Sequence, residues 1–303
     1  MPALHFKMTH DPPANAGDLI NWLQKALLPA IDTSEALRAE VRWMMEAVLD
    51  KPWTQIVSFP EATVSQANIQ RVIGYLEQRV NRHRPLHYVL GSTCFCGLNL
   101  TLSQAVLIPR PETEQLVDLV LEHVKVNAAN QSCIQIADIA TGSGAIALAL
   151  KAALSERARL TASDLSAPAL AVASENASAL GLEVSFRLGD GLWALPPQQT
   201  FDVIVSNPPY IPHAEYQALM PEVKIHEPKS ALLTQDPEGL SFYRHFATQA
   251  AEALTPGGLI ALELSQSTSQ IVYDLFKQRD CWKVRPVIND YFGVPRFLMA
   301  SRH

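Results

Sequence analysis

The stretch that decides the fold is Ile134-Gln135-Ile136-Ala137-Asp138-Ile139-Ala140-Thr141-Gly142-Ser143-Gly144, which runs into an apolar segment over residues 145–154. Its first six residues predict a buried strand, and residues 145–154 predict a helix. Glycines between them let the backbone turn tightly and approach a ligand, while free amides at the helix start favour an anionic or carboxylate group. A strand, a glycine loop and a helix in this order therefore indicate a ligand-binding turn, although a tight turn without a ligand is the alternative.

The rest of the chain after residue 130 alternates between predicted strands and helices. Seven strands are predicted, at 134–139, 159–163, 184–188, 201–205, 258–264, 282–288 and 296–301. Helices are predicted at 145–154, 167–180, 240–254 and 266–278. Apolar strands alternating with helices predict a doubly wound, mostly parallel seven-stranded sheet with its ligand crevice at the carboxyl ends of the strands.

The first ninety residues have a different pattern, which predicts a small helical bundle. Helices are predicted at 18–28 and 37–49, the second opened by Asp32 and Glu35, and an i, i+3, i+4, i+7 apolar spacing predicts another over 69–80. A short hairpin that includes the apolar run 106–108 follows, then a helix at 112–126. We predict a helical domain over 1–92, a hairpin linker over 93–110 and the α/β domain over 111–303.

Composition narrows the class of protein. With 24 Lys and Arg against 30 Asp and Glu, the net charge of −6 offers no general field for a polyanion, so direct nucleic-acid binding is not expected. A local patch at Arg79, Arg82, His83 and Arg84 keeps that alternative open, but its ordinary interpretation is a solvated helix end. No apolar stretch reaches the ~20 residues that cross a bilayer, and residues 1–11 lack the apolar middle of a secretion signal. We therefore expect no membrane association.

Four scattered cysteines are too few for a disulfide framework in a chain of 303 residues. We expect reduced, mostly buried thiols and a cytoplasmic location. Cys94-x-Cys96 has no second cysteine pair, and His226 is solitary, so no metal is assigned.

A carboxylate follows the second predicted strand of the α/β domain. Asp164 lies 20 residues after Gly144, where its side chain can accept hydrogen bonds from both ribose hydroxyls of a nucleoside. No third glycine stands at the dinucleotide spacing, and no Gly-Lys-Ser/Thr follows the loop. The pattern predicts a nucleoside-containing ligand of another kind.

A second candidate site, Ser206-Asn207-Pro208-Pro209-Tyr210, comes directly after the strand 201–205. The two prolines fix φ and lack N–H groups, so their carbonyls can act as outward acceptors. Asn207 adds a side-chain carbonyl oxygen, and Tyr210 adds a flat ring. An NH₂ group bound here could donate one proton to Asn207 and the other to the Pro208 carbonyl. The alternative is an Asn-capped Pro-Pro turn without a ligand.

The glycine loop with Asp164 resembles the S-adenosylmethionine site of class I methyltransferases. Asn-Pro-Pro-Tyr resembles the motif of methyltransferases acting on planar nitrogens, in adenine of DNA, guanine of ribosomal RNA or glutamine of proteins. The resemblance implies that the cofactor is bound by Ala140, Thr141, Gly142, Ser143, Gly144, Asp164, Asp190, Gly191 and Asn207. Ala140 departs from the family pattern, because a glycine is usual there.

The run Leu107-Ile108-Pro109-Arg110-Pro111-Glu112-Thr113-Glu114, together with the helical N-terminal segment, resembles the protein-(glutamine-N5) methyltransferases of the HemK/PrmC family. Those enzymes modify the Gly-Gly-Gln tripeptide of class I peptide chain release factors. The resemblance covers nearly the whole chain and continues in His226-Glu227-Pro228, Pro256-Gly257-Gly258, Glu263 and residues 290–296.

This resemblance implies a helical domain that recognises the protein substrate and the following site residues. Asn207, Pro208 and Tyr210 would be catalytic, and Asn207, Pro208, Pro209, Tyr210, Arg110 and Glu112 would bind the substrate. For Arg110 and Glu112 the alternative is a surface charge pair at a helix start. Alternative functions are methylation of a glutamine in a large-subunit ribosomal protein, an amino methyltransferase acting on nucleic acid, and a binding protein that retains cofactor without transfer.

Overall fold

A computed structural model describes residues 12–31, 33–128 and 131–303. Contacts divide the chain into two units. The helical unit comprises the described residues up to Gly91 together with Pro221–His226, and the sheet unit comprises Ser92–Met220 and Glu227–His303. The predicted domain boundaries, with their linker and recognition roles, stay predictions.

The helical unit has five helices before Gly91 in its described part: α1 Ala16–Leu27, α2 Ser34–Leu49, α3 Trp53–Ser58, α4 Gln66–Leu76 and α5 Leu86–Leu90, with a π-helical turn at Glu77–Asn81. The predicted apolar spacing is confirmed, because Ile69, Val72 and Leu76 are buried on α4. Helix α2 begins after Thr33, whose hydroxyl accepts from the Ala36 amide at 3.2 Å. The predicted cap at Asp32 and the segment 1–11 lie outside the described residues.

The predicted solvated basic run is wrong for its first residue. Arg79 is only 6% exposed. Its guanidinium contacts Glu40 at 2.8 Å and Glu222, in the short helix Pro221–His226, at 3.0 Å. An unpaired buried charge would be strongly unfavourable. The carboxylates of Glu40 and Glu222 compensate the charge of Arg79 inside the helical unit.

The sheet unit begins with a hairpin of β1 Ser92–Phe95 and β2 Leu98–Thr101. Phe95 and Leu100 belong to the same apolar core as the central sheet, and the Asn176 side chain hydrogen-bonds both backbone groups of Thr101. In the described structure residues 106–108 form no strand, contrary to the prediction. Their apolar character reflects burial of Val106 and Ile108 rather than sheet pairing.

The predicted doubly wound, mostly parallel sheet is confirmed. Its strands are β3 Ile134–Ile139, β4 Ala158–Asp164, β5 Val184–Leu188, β6 Phe201–Ser206, β7 Leu254–Glu263, β8 Trp282–Val284, β9 Ile288–Asn289 and β10 Pro295–Arg302. The order is β5-β4-β3-β6-β7-β10-β8, with β9 pairing β10, and β10 is antiparallel to its neighbours. The predicted strand 282–288 is thus two strands, and residues 285–287 between them belong to no strand.

Five helices of eight residues or more accompany this sheet in the described part of the unit: α6 Pro111–Asn127, α7 Ala145–Leu154, α8 Ala167–Leu180, α9 Ser241–Ala253 and α10 Ser269–Lys277. A short helix, His213–Tyr216, follows β6. No helix among the described residues has the length and apolar character needed to cross a membrane. The expectation of mostly buried thiols is wrong, since Cys94 and Cys281 are exposed and Cys96 and Cys133 are half-buried.

The strands that precede the two candidate loops are parallel neighbours. Ile139 at the end of β3 pairs with Ser206 at the end of β6. The Ser206 hydroxyl donates to the Ile139 carbonyl at 2.6 Å, in the interior. The glycine loop and the Asn-Pro-Pro-Tyr loop therefore leave the sheet at the same edge, where the strand order reverses and α/β proteins bind ligands.

Candidate active site

A cavity of about 780 Å³ lies at the carboxyl ends of the parallel strands within the sheet unit. Its size falls in the range of small-molecule sites. Of the predicted residues, its lining includes Ala140, Thr141, Gly142, Ser143, Asp164, Asp190, Gly191, Asn207 and Pro209. It does not include Gly144, Pro208, Tyr210, Arg110 or Glu112.

Three residues of the glycine loop have a left-handed backbone conformation. Ala140, Gly142 and Gly144 have φ angles of 59°, 57° and 84°, in the left-handed region. A Cβ added at Gly142 would meet no atom within 4 Å, whereas one at Gly144 would lie 3.1 Å from Leu148 and 3.2 Å from Ala173. Gly142 thus leaves room beside the loop, and Gly144 allows close packing of α7 and α8.

Asp138, a residue of β3, holds the glycine loop through hydrogen bonds. It is fully buried, and its Oδ2 accepts from the Thr141 hydroxyl at 2.6 Å and from the Ala147 amide at 3.1 Å. Its Oδ1 has no hydrogen-bond partner among the described residues. Burial raises the pKa of Asp138 to about 7. This carboxyl holds the loop and the first turn of α7 together.

Asp164 lies at the end of β4 and lines the cavity. Its Oδ2 accepts from the Gly142 amide at 2.9 Å, and its Oδ1 accepts from the Ser166 amide at the same distance. Burial raises the pKa of Asp164, while these amide contacts act in the opposite direction. Each carboxylate oxygen keeps further acceptor capacity, so the group can still receive hydroxyl donors from a ligand.

The Asn-Pro-Pro-Tyr loop, residues 207–210, is called the acceptor loop below. It is held by side chains that lie far away in the sequence. Asn207 is half-buried, and its Nδ2 donates to the Thr113 hydroxyl at 3.2 Å. That hydroxyl donates to Glu263 Oε2 at 2.7 Å, and the Tyr210 hydroxyl donates to Glu263 Oε1 at 3.1 Å. Tyr210 thus directs its polar end to Glu263. Stacking of an acceptor group on its ring stays a prediction.

Arg110 and Glu112 lie where α6 begins, and Arg110 is its N-cap residue. The Arg110 guanidinium contacts Glu227 at 2.6 Å, and the Glu227 side chain is 1% exposed. Arg110 is therefore paired with a buried carboxylate of the His226-Glu227-Pro228 segment. The contact of Arg110 and Glu112 with a protein substrate stays a prediction.

Aromatic side chains line the cavity beside Gly191. Asp190 and Gly191 line it, followed by Trp193, whose ring centroid lies 4.3 Å from that of His245. Phe242 also lines the cavity from α9. Sequence reasoning missed these aromatic residues and Thr113. Trp193 could have been found as an aromatic residue just after a predicted strand, but Phe242, His245 and Thr113 come from elements far along the chain.

The fold and this site define a class I methyltransferase that uses S-adenosylmethionine. Comparison with known proteins agrees: residues 114–235 match the family described as "Methyltransferase small domain", and residues 18–91 match "PrmC N-terminal domain".

Curated relatives specify the family. A "Release factor glutamine methyltransferase" of Gloeobacter violaceus is 37% identical over 92% of this chain and 95% of its own length. Proteins of the same name from Caulobacter vibrioides and Moorella thermoacetica are 39% and 40% identical, over 82% and 78% of this chain and 84% and 78% of theirs. The chain belongs to the family of release factor glutamine methyltransferases.

Proposed function

We propose that this protein methylates N5 of the glutamine side chain in the Gly-Gly-Gln tripeptide of class I peptide chain release factors. The observation that carries the proposal is the position of Asn207, which lines the same cavity as the glycine loop and donates a hydrogen of its Nδ2 to Thr113. Its Oδ1 is thereby left for an NH₂ group. The names of the relatives support a release factor as the source of that group.

The residues around the cavity suit S-adenosylmethionine. Asp164 can accept ribose hydroxyls, the open Cβ position of Gly142 leaves space at the loop, and the start of α7, which lines the cavity, suits a carboxylate. We assign Asp190 and Gly191 to the border of the adenine. When bound, S-adenosylmethionine supplies an electrophilic methyl group on a positively charged sulfur.

An amide nitrogen is a poor nucleophile, because its lone pair is delocalised into the carbonyl. In our proposal the Asn207 Oδ1 and the Pro208 carbonyl accept the two amide hydrogens of the substrate. This contact localises the lone pair and directs it toward the methyl group, so that orientation supplies much of the rate. In this step the N–C bond would form as the methyl–sulfur bond breaks, and a neutral thioether would leave with that electron pair. The nitrogen would then lose its extra proton to water, so that no general base is required before the methyl group has transferred.

The proposal extends to the partner. Arg110 and Glu112 would bind the substrate next to its glutamine through charge-assisted hydrogen bonds, with the Arg110–Glu227 ion pair fixing the guanidinium. The alternative role is purely structural, at the start of α6. The helical segment 1–92 would recognise the rest of the release factor, and the proposed location is the cytoplasm, where release factors act.

The test is to incubate the protein with labelled S-adenosylmethionine and, separately, a class I release factor, ribosomal proteins or RNA. We expect one methyl group on the glutamine of the Gly-Gly-Gln peptide, located by mass spectrometry. A release factor with alanine in place of that glutamine is the matched control and should take no label. Label in the ribosomal protein or RNA pool alone would overturn the proposal.

A further inference from the structure

We propose that Thr113 and Glu263 are positioning residues that fix the orientation of the Asn207 amide, so that Oδ1 and not Nδ2 faces the methyl acceptor. This inference rests on the proposed function. It adds two residues to the reaction that do not contact the reacting atoms in our mechanism.

The orientation of this amide decides whether the site can work. An asparagine side chain has an acceptor oxygen and a donor NH₂ of nearly equal size, and either can occupy the same position after rotation. An acceptor glutamine presents two N–H donors. With Nδ2 facing it, a donor would oppose a donor, and only the Pro208 carbonyl would be left to accept from the glutamine nitrogen.

The hydrogen bonds that link Asn207, Thr113 and Glu263 run in one direction, from Asn207 to Glu263. An ionised carboxylate only accepts, and Glu263 receives the Thr113 hydroxyl on Oε2 at 2.7 Å and the Tyr210 hydroxyl on Oε1 at 3.1 Å. Thr113 has a single O–H, which is used in this contact. Its oxygen can therefore only accept from Asn207, and the atom of Asn207 at 3.2 Å from it is Nδ2.

Two hydroxyl donors contact the buried carboxyl of Glu263, one on each oxygen. Burial raises the pKa of Glu263, while the hydrogen bonds from Thr113 and Tyr210 and the charge of Arg296 act in the opposite direction. A second tyrosine, Tyr243, donates to the backbone carbonyl of Glu263 at 2.7 Å and fixes the end of β7. A glutamine at position 263 would be able to donate as well as accept, so the direction of the chain would be lost.

The central experiment compares Thr113→Val with Thr113→Ser. Valine keeps the shape of threonine but removes the hydroxyl, and serine keeps the hydroxyl. We expect kcat for a Gly-Gly-Gln release factor to fall about 100-fold in Thr113→Val, the loss typical of a misplaced reacting group. Affinity for S-adenosylmethionine, measured by calorimetry, and the thermal midpoint should change little. Thr113→Ser should recover most of the rate, and Glu263→Gln should lose it.

Thr93→Val is the matched control, because Thr93 is also buried but lies in β1, outside this chain of hydrogen bonds. It should leave kcat close to that of the unsubstituted protein. A folded Thr113→Val protein with unchanged kcat would overturn the inference. An equal loss in the serine variant would do the same, since it would indicate a packing role.

A second measurement does not depend on the substrate. The side-chain NH₂ signals of Asn207 in a ¹⁵N-labelled protein can be assigned as those missing from Asn207→Ala. We expect slow exchange of these protons with water in the unsubstituted protein and fast exchange in Thr113→Val. Equal exchange rates would contradict the positioning role even if glutamine methylation is confirmed. Failure of the unsubstituted protein to methylate glutamine would instead contradict the proposed function.

Discussion

The two loops at the edge of the sheet are built in different ways. The glycine loop after β3 is held by nearby groups, namely Asp138 beneath it and the Ser163 carbonyl and Asp164 at the end of the next strand. The acceptor loop after β6 depends on a hydrogen bond across 94 residues, from Asn207 to Thr113, and on another across 150 residues, from Thr113 to Glu263. The conformation of the glycine loop thus depends on groups close to it, while that of the acceptor loop depends on side chains from distant parts of the sequence.

The strongest test of this comparison is to remove the side-chain amide of Asn207 alone. In Asn207→Ala the prolines still fix the backbone, but one of the two acceptors for the substrate amide is gone. We expect turnover to fall by about a thousandfold or more. Affinity for S-adenosylmethionine should stay within a few-fold, because the groups of the glycine loop and Asp164 are untouched.

Turnover is measured by mass spectrometry of the release factor, and affinity by calorimetry. Asn289→Ala, at an exposed position in β9, is the control and should behave like the unsubstituted protein. Near-normal turnover in Asn207→Ala would remove the proposed role of this loop. A parallel loss of cofactor affinity would mean that the two loops are not separable.

A smaller effect is expected from the carboxyl beneath the glycine loop. Burial raises the pKa of Asp138 from 3.8 to about 7, so the folded state prefers the protonated form. The stability that this preference contributes is complete below the unfolded pKa and is lost as the pH rises toward 7. Asp138→Asn stays neutral and can still accept from the Ala147 amide, so it should avoid this loss.

The free energy of unfolding of Asp138→Asn should therefore rise relative to that of the unsubstituted protein between pH 4 and 7, by at most about 1.4 kcal/mol per pH unit. Above pH 7 the difference should level off. Urea unfolding at several pH values measures it, with Asp280→Asn at an exposed site as the control. A difference that does not vary with pH would show that Asp138 is already ionised without cost in the folded state.

The same contrast explains what could be predicted from the sequence. The glycine loop and Asp164 were recognisable because their spacing follows one unit of consecutive elements, namely strand, loop, helix and next strand. The orientation of Asn207 was not, because no pattern at 113 or 263 indicates that these side chains meet. The apolar run 106–108 was misassigned for a related reason, since burial produces the same residue types in an extended segment as in a strand.

The smallest expected effect concerns Ala140, where this chain departs from the usual glycine. Its φ of 59° is left-handed, a conformation that costs an alanine about 1–2 kcal/mol. Ala140→Gly should relieve that strain, partly offset by the greater freedom of glycine in the unfolded chain, for a net gain of up to about 1 kcal/mol. The thermal midpoint should then rise by about 2–4 °C. The exposed Ala152→Gly in α7 should instead destabilise by about 1 kcal/mol. If both substitutions lower the midpoint, the loop tolerates alanine at position 140 without strain. The local backbone conformation would then matter less for the glycine loop than the comparison of the two loops implies.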